Sequence, residues 1–300
     1  MRFLRRLAFS RWCVGGSFTV DRLVRRRIKA GFQGILHYLW CDRDFAFLDL
    51  LPKPRGIHWV GTFHQPPHQL PEIIRRPRSL PRFDAIILMS TIQRDWFLAQ
   101  GVPPERLHVI PHGVDTTYFC PSPAPTPDSH SPLRLLAVGS TGRDFTTLHA
   151  TASAFQSRTD VLFDIIGPAS EQPAFADLPH VTYRSRIPDT ALLLAYQSSH
   201  ALLHLASSAT ANNVLLEALA CGLPVIASQI GGIPEYLSPS CSLLVPPSSP
   251  PAVIDSIHQL LQDPALLSRL AKNARPHAES LAWPNAARQT RALYSQLLAA

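Results

Sequence analysis

The stretch SSATANNVLLEALACGLPVIASQIGGIPEYL (207–237) holds the residues best placed to do chemistry. An apolar strand, ALLHLA (201–206), runs out into a polar loop. A helix, NNVLLEALACG (212–222), then begins with Thr210 or Asn212 as its N-cap. The unpaired N–H groups and the dipole at such a helix start attract an anion, and the amides around Asn212, Asn213 and Val214 fall there. Glu217 lies little more than a turn further in. A carboxylate at that point cannot bind phosphate and is suited to accept hydrogen bonds from hydroxyls. An anion site beside a hydroxyl acceptor describes a nucleotide sugar: a diphosphate at the helix start and a ribose or hexose against the acid. The bland alternative for a helical glutamate is a solvated surface residue, but Glu217 stands among apolar neighbours in LLEALACG.

These groups need a scaffold. Residues 18–30 (FTVDRLVRRRIKA) read as a basic helix, either solvated and docked on the fold or touching a membrane surface. Short apolar runs follow: ILHYLW (35–40), ending at the polar CDRD; IHWVGTFH (57–64), ending in His64; DAIILMS (84–90), with a helix at 91–100 and a stop at Gly101; and LHVIPHGVD (107–115). The segment PSPAPTPDSHSP (121–132) reads as a stiff linker. Beyond it come strands at 133–138, 161–167, 180–185, 201–206, 223–228 and 242–245, and helices at 145–157, after Asp189, at 212–222, 251–262, 264–280 and 284–299. Near-continuous Val/Ile/Leu strands alternating with helices call for parallel sheets covered on both faces. The expected class is α/β with two Rossmann-like domains, residues 1–122 and 133–283, joined by the linker 121–132. A C-terminal helix (284–300) is expected to return to the first domain. In such pairs a ligand binds at the carboxyl ends of the strands, in the cleft the two sheets face.

The net charge of +7 first suggests nucleic acid. Its distribution does not: residues 1–31 hold nine basic groups against Asp21 alone, and the remainder is almost neutral. A patch at one end predicts an anionic surface, such as a membrane, rather than a nucleic-acid footprint. The five cysteines form no C-x-x-C pair, which favours unpaired thiols in a reducing compartment. The thirteen histidines show no H-E-x-x-H pattern, so no metal site is expected. Arginines interrupt the opening MRFLRRLAFSRWCVGG, which makes a poor signal peptide, and the longest apolar runs are too short to span a bilayer. A cytoplasmic protein, peripheral on the inner face of the plasma membrane, is the expectation.

Several motifs, in order, resemble the glycosyltransferase family 4 group, retaining sugar transferases of the GT-B fold. VGTFHQP (60–66), ILMSTIQRDWFLAQGVPPERLHVIPHGVDTTYF (87–119), LLAVGSTGRDFTTLHA (135–150) and above all VLLEALACGLPVIASQIGGIPEYL (214–237) carry the likeness, which covers roughly residues 35–283. The resemblance implies roles residue by residue. His64 matches the histidine near the acceptor and the sugar carbon, where it orients the acceptor hydroxyl or donates to developing charge; the alternative is a satisfied structural histidine. Glu217 matches the second of two acids set eight apart and would contact ribose hydroxyls. Ala209 stands at the first, where a carboxylate usually touches the donor sugar; Asn212 and Asn213 are polar and can substitute in part. After the first strand of the second domain, beyond Gly139, the family places Arg and Lys on the donor phosphates; Ser140 stands at the Arg position and Arg143 at the Lys position. The alternative for Arg143 is a surface charge beside Asp144. His112 and Asp115 read as structural. Gly15-Gly16 is a candidate remnant of the family's glycine-rich loop, and the first domain looks shortened, as in a truncated copy or a variant lacking the first strand.

The implied reaction transfers a sugar from a nucleoside diphosphate to a glycan or lipid-linked acceptor hydroxyl with retention. It takes place on the same face, assisted by the leaving phosphate, with interdomain closure, no metal and no cofactor. The alternative is a non-catalytic GT-B-like binding or scaffold protein, motivated by Ala209, Ser140 and the short first domain.

Overall fold

The computed structural model of the chain describes residues 8–122 and 132–299. Most of the expected linker, residues 123–131, and the first seven residues of the basic amino end lie outside these. The chain divides into two compact units, Met1–Pro111 with Ala286–Ala300, and His112–Asn285. The division falls before the proline-rich stretch because residues 112–119 are held by the second unit. His112 N–H donates to the Tyr236 hydroxyl at 2.9 Å, and Arg275 donates to the Thr116 and Phe119 carbonyls, both at 2.8 Å.

The first unit is built on four parallel strands in the order β1 (Gly34–Tyr38), β2 (Ile57–Phe63), β3 (Ala85–Leu88), β4 (Leu107–Val109). Its core is aromatic, with Phe9, Phe45, Trp59, Phe63, Phe83 and Phe97 packed together. Helix α1 (Gly15–Lys29) turns Ser17 and Asp21 inward. The Asp21 carboxylate accepts the Tyr38 O–H at 2.6 Å and backbone N–H groups of Ala46 and Leu48 at 3.1 and 3.2 Å. Burial still pushes its pKa above the ordinary carboxylate value. Gly15 and Gly16 begin this helix, so they form no glycine-rich loop after a strand; that expectation is corrected. The segment expected as a helix at 91–100 splits into a 3₁₀ turn, Thr91–Gln93, and α2 (Arg94–Ala99).

The second unit carries six parallel strands: β5 (Leu133–Val138), β6 (Val161–Ile166), β7 (Val181–Arg184), β8 (Ala201–His204), β9 (Val225–Ser228) and β10 (Ser242–Val245). Their order is β10-β9-β8-β5-β6-β7, and all register pairs are parallel. Residues alternate between two cores. Leu133, Leu135 and Ala137 face one, and Leu136 and Val138 the other, which is why the strands read as continuous apolar runs. Helices α3 (Phe145–Ala154), α4 (Asp189–Ser198), α5 (Asn213–Ala220), α6 (Pro250–Gln262) and α7 (Pro264–Ser280) connect and follow the strands; α8 (Trp283–Ala299) is last. Strand β8 stops at His204, two residues short of the expected end. Ala206 bridges to Arg143 in antiparallel sense instead of continuing the parallel ladder.

Candidate functional site

In the second unit, the loop after β5 and the loop after β8 emerge at the same, carboxyl edge of the sheet, because the two strands are parallel neighbours. Gly139 follows β5 with φ +111°, a conformation that L side chains rarely adopt. The guanidinium of Arg143 folds over it; a Cβ there would lie 2.5 Å from Arg143 Nη2. Arg143 Nε donates to the Val138 carbonyl at 2.7 Å, Nη1 to the Thr141 carbonyl at 3.3 Å and Nη2 to Asn212 Oδ1 at 3.3 Å. None of these partners is a carboxylate, and it is not the surface partner of Asp144, whose carboxylate instead caps α3 through Thr147. Burial draws the Arg143 pKa down to about 10. Ser140 is exposed.

The loop 207–212 is held from two sides. Ser207 N–H donates to the Gly142 carbonyl at 2.9 Å, and Gly232 N–H donates to the Ala209 carbonyl at 3.1 Å. Gly142 and Gly231 have φ +66° and +56°, and each lets its backbone approach this loop more closely than a side chain would allow. Ala209 and Thr210 are buried, and Thr210 Oγ1 has no hydrogen-bond partner. Asn212, not Thr210, is the N-cap of α5; its Oδ1 accepts the Val214 N–H at 3.0 Å while also receiving Arg143. One carboxamide therefore ties the helix start to the cation. Asn213 opens the helix on the surface, and Val214 is half-buried behind it.

Glu217 is half-buried. Its Oε2 accepts the Tyr196 O–H at 2.8 Å, and burial raises its pKa above the ordinary value. One of its oxygens is thus occupied by a protein hydroxyl. Tyr196 and His204 were not legible in the sequence. Tyr196 lies on α4 within an apolar pattern, and only the tertiary fold brings it to Glu217. His204 is fully buried near Arg143, both ring nitrogens lack partners, and burial pushes its pKa well below the ordinary value.

In the first unit, His64 is the residue after β2. Its backbone N–H donates to Asp42 Oδ2 at 2.7 Å, and its Nδ1 lies 3.4 Å from the same oxygen. The Trp40 ring packs against it, with centroids 5.2 Å apart. Behind it, His37 uses Nε2 on Thr62 Oγ1 at 2.7 Å and Nδ1 on the Tyr294 hydroxyl; burial, helped by the neighbouring His64, lowers its pKa to about 4. His112 packs at a tilt against Trp283, and Asp115 Oδ1 accepts the N–H groups of Thr117 and Tyr118, both structural uses. Among the described residues, no group of three or more His, Cys, Asp or Glu is arranged to hold a metal ion.

Comparison with known proteins gives two matching family models: "Glycosyl transferases group 1" over residues 130–277 and "Glycosyltransferase Family 4" over residues 4–118. The MMP alpha-(1->4)-mannosyltransferase of Mycolicibacterium hassiacum is 30% identical over 241 residues, which is 75% of this chain and 56% of that protein. The D-inositol 3-phosphate glycosyltransferase of Corynebacterium aurimucosum is 24% identical over 86% of this chain and 69% of its own length. The chain thus spans little more than half of the first of these relatives. Among solved structures, sucrose-phosphate synthase from Thermosynechococcus elongatus superposes with a TM-score of 0.72 at 23% identity, covering 94% of this chain and 77% of its own. Anabaena HepE in complex with UDP gives 0.67 at 18% identity, covering 80% and 72%.

Proposed function

The chain belongs to the group 1, family 4 glycosyltransferases and has their GT-B fold, and on that premise we propose that it transfers a sugar from a nucleoside-diphosphate sugar to an acceptor hydroxyl with retention. The observation that carries this reading is the junction of Arg143, Asn212 and the start of α5, with Glu217 a turn further along the helix. Bond cleavage builds negative charge on the departing diphosphate. Arg143 and the first amides of α5 are preorganised to meet that charge, so the reading assigns no metal ion and no cofactor. Glu217 Oε1 takes a ribose hydroxyl, with Tyr196 fixing the other oxygen. Retention follows from a same-face attack in which the leaving phosphate receives the acceptor's proton. That HepE, of the same fold, is solved with UDP supports a nucleotide donor.

Isothermal titration with UDP, GDP and ADP tests the reading. One of the three is expected to bind, and Glu217→Gln to weaken it about tenfold, the loss of one hydrogen bond to a charged group. No binding of any of them would sink the proposal. A second reading, a binding or scaffold protein without turnover, rests on Ala209, which leaves the buried loop without the acid the family carries; transfer of sugar to any acceptor removes it.

We also assign the acceptor to the cell envelope, as a glycan or lipid-linked sugar, and dock the first unit on the anionic inner leaflet. The outward side of α1 bears Arg22, Arg25, Arg26, Arg27 and Lys29 with Val20 and Leu23, while its one acid, Asp21, is turned inward. Trp12 and Val14 are exposed just before the helix. Such a mixture favours anionic headgroups, each cation contributing about 1 kcal/mol near the surface. No helix among the described residues is long and apolar enough to cross a membrane. Flotation with phosphatidylcholine vesicles should require added phosphatidylglycerol, weaken with salt, and be abolished when Arg22, Arg25, Arg26 and Arg27 are all changed to Glu. Equal recovery with neutral vesicles would refute the assignment.

A further inference from the structure

Strands β1 and β2 are adjacent and parallel, so the residues that follow them share one edge of the first sheet. Asp42 lies just past β1 in the one-turn helix Cys41–Asp44, and His64 just past β2. The Asp42 side chain is completely buried. A buried carboxylate is costly unless hydrogen-bonded on both oxygens. Asp42 Oδ2 has the His64 N–H at 2.7 Å; Oδ1 has no partner. His64 Nδ1 is likewise buried and unpartnered, 3.4 Å from Oδ2 and outside hydrogen-bond geometry. An acceptor-only group and an imidazole nitrogen thus face each other, each lacking what the other can supply. Nδ1 gains an acceptor, and the carboxylate a second donor, when Nδ1 carries the ring proton and a small rotation turns it onto Oδ2.

Everything else around the ring leaves that pairing open. Trp40 covers one face of His64, and Arg43 lies 4.6 Å over the Trp40 ring, paired with Asp44 rather than with Asp42. His37 spends both nitrogens on Thr62 and Tyr294 and stays neutral above about pH 4, so it neither donates to Asp42 nor brings a charge there. The His64 side chain is 25% exposed, and because Nδ1 is buried the exposure falls on the Nε2 side.

We infer that Asp42 is a positioning residue that holds His64 in its Nδ1–H tautomer and fixed orientation, so that Nε2 presents an acceptor lone pair to a substrate hydroxyl. This rests on the glycosyltransferase reading only for the identity of that hydroxyl. No bond is made or broken at His64: Nε2 orients a substrate hydroxyl other than the attacking one, whose own proton passes to the leaving phosphate.

Long-range ¹H–¹⁵N spectra of the full chain labelled with ¹⁵N-histidine distinguish the tautomers by their ring-nitrogen shifts, and the His64 signals are those lost in His64→Gln. The parent should show His64 as Nδ1–H. Asp42→Asn keeps an amide oxygen for the His64 backbone N–H but offers an NH₂ to Nδ1, so the tautomer should invert to Nε2–H. In sugar-transfer assays with UDP-, GDP- and ADP-glucose as probes, Asp42→Asn should lower kcat about 10²-fold, with donor KM within about twofold, for whichever donor the parent turns over. An unchanged tautomer in Asp42→Asn overturns the inference. If that variant does not fold, the parent spectrum decides, and a predominant Nε2–H form overturns it. No turnover with any donor counts against the glycosyltransferase reading, while the tautomer measurement still decides the role of Asp42.

Discussion

Arg143→Gln is expected to lower kcat about 10²- to 10³-fold, the usual cost of removing one preorganised charge donor from a developing anion, while leaving the unfolding temperature unchanged or higher. The two halves of that expectation come from one observation. The guanidinium is largely withdrawn from water, is held by two backbone carbonyls and the Asn212 carboxamide, and faces no carboxylate among its partners. A half-buried cation without a counter-ion destabilises the folded state, which is what its pKa, drawn down to about 10 by desolvation, expresses. The sign follows: the charged form is favoured more in the unfolded chain, so at neutral pH the charge weakens folding, and that penalty disappears only above the unfolded pKa. Glutamine retains hydrogen-bonding capacity toward Val138 and Asn212 without the charge. A purely structural arginine would behave oppositely, losing stability on substitution and leaving turnover intact. Calorimetric unfolding with and without the bound nucleoside diphosphate, together with steady-state kinetics, separates the cases. A lowered unfolding temperature with unchanged kcat would refute the assignment. The diphosphate should stabilise the parent far more than the variant, since it supplies the missing counter-charge.

What the sequence disclosed and what it withheld divide along a physical line. Strand existence was legible because both faces of the second sheet are buried, so every position from Leu133 to Val138 except the exposed Arg134 is apolar. The helix start at Asn212 was legible because capping is local: Asn212 Oδ1 reaches an N–H two residues away. The resemblance to a known family supplied Arg143 and His64, which spacing alone does not single out. The pairs that complete each site were not legible. Tyr196 and Glu217 are 21 residues apart, and Asp42 and His64 are 22 apart. In each pair one member looked ordinary, a tyrosine in an apolar helix or an acid in the polar run CDRD after a strand. Only the parallel register sets the second pair at one edge. Gly15-Gly16 failed as a loop for the same reason in reverse. The dipeptide suggested a remnant of the family's glycine-rich loop, but no strand precedes it among the described residues and the backbone there is helical.

Gly231→Ala should destabilise the second unit by roughly 2–4 kcal/mol, from strain at a left-handed residue added to overpacking against a backbone atom. The glycine has φ +56°, and a Cβ there would lie 2.2 Å from the Ala209 carbonyl oxygen. That oxygen belongs to the main chain of a buried loop and also accepts the Gly232 N–H at 3.1 Å, so it cannot move aside as a flexible side chain would. The loop 207–212 must shift, and with it Asn212, whose Oδ1 receives both Arg143 and the Val214 N–H. Donor affinity should therefore fall together with stability. Gly16→Ala is the contrast: a Cβ there meets nothing within 4 Å, the backbone is helical, and the change should stabilise by about 0.5–1 kcal/mol. Urea unfolding of both variants decides it, and a Gly231→Ala midpoint close to that of the parent would show that the loop has another path. The clamp acts on the carbonyl of residue 209 and is indifferent to its side chain. The course of the loop is therefore set by its backbone contacts and is compatible with any small side chain at position 209.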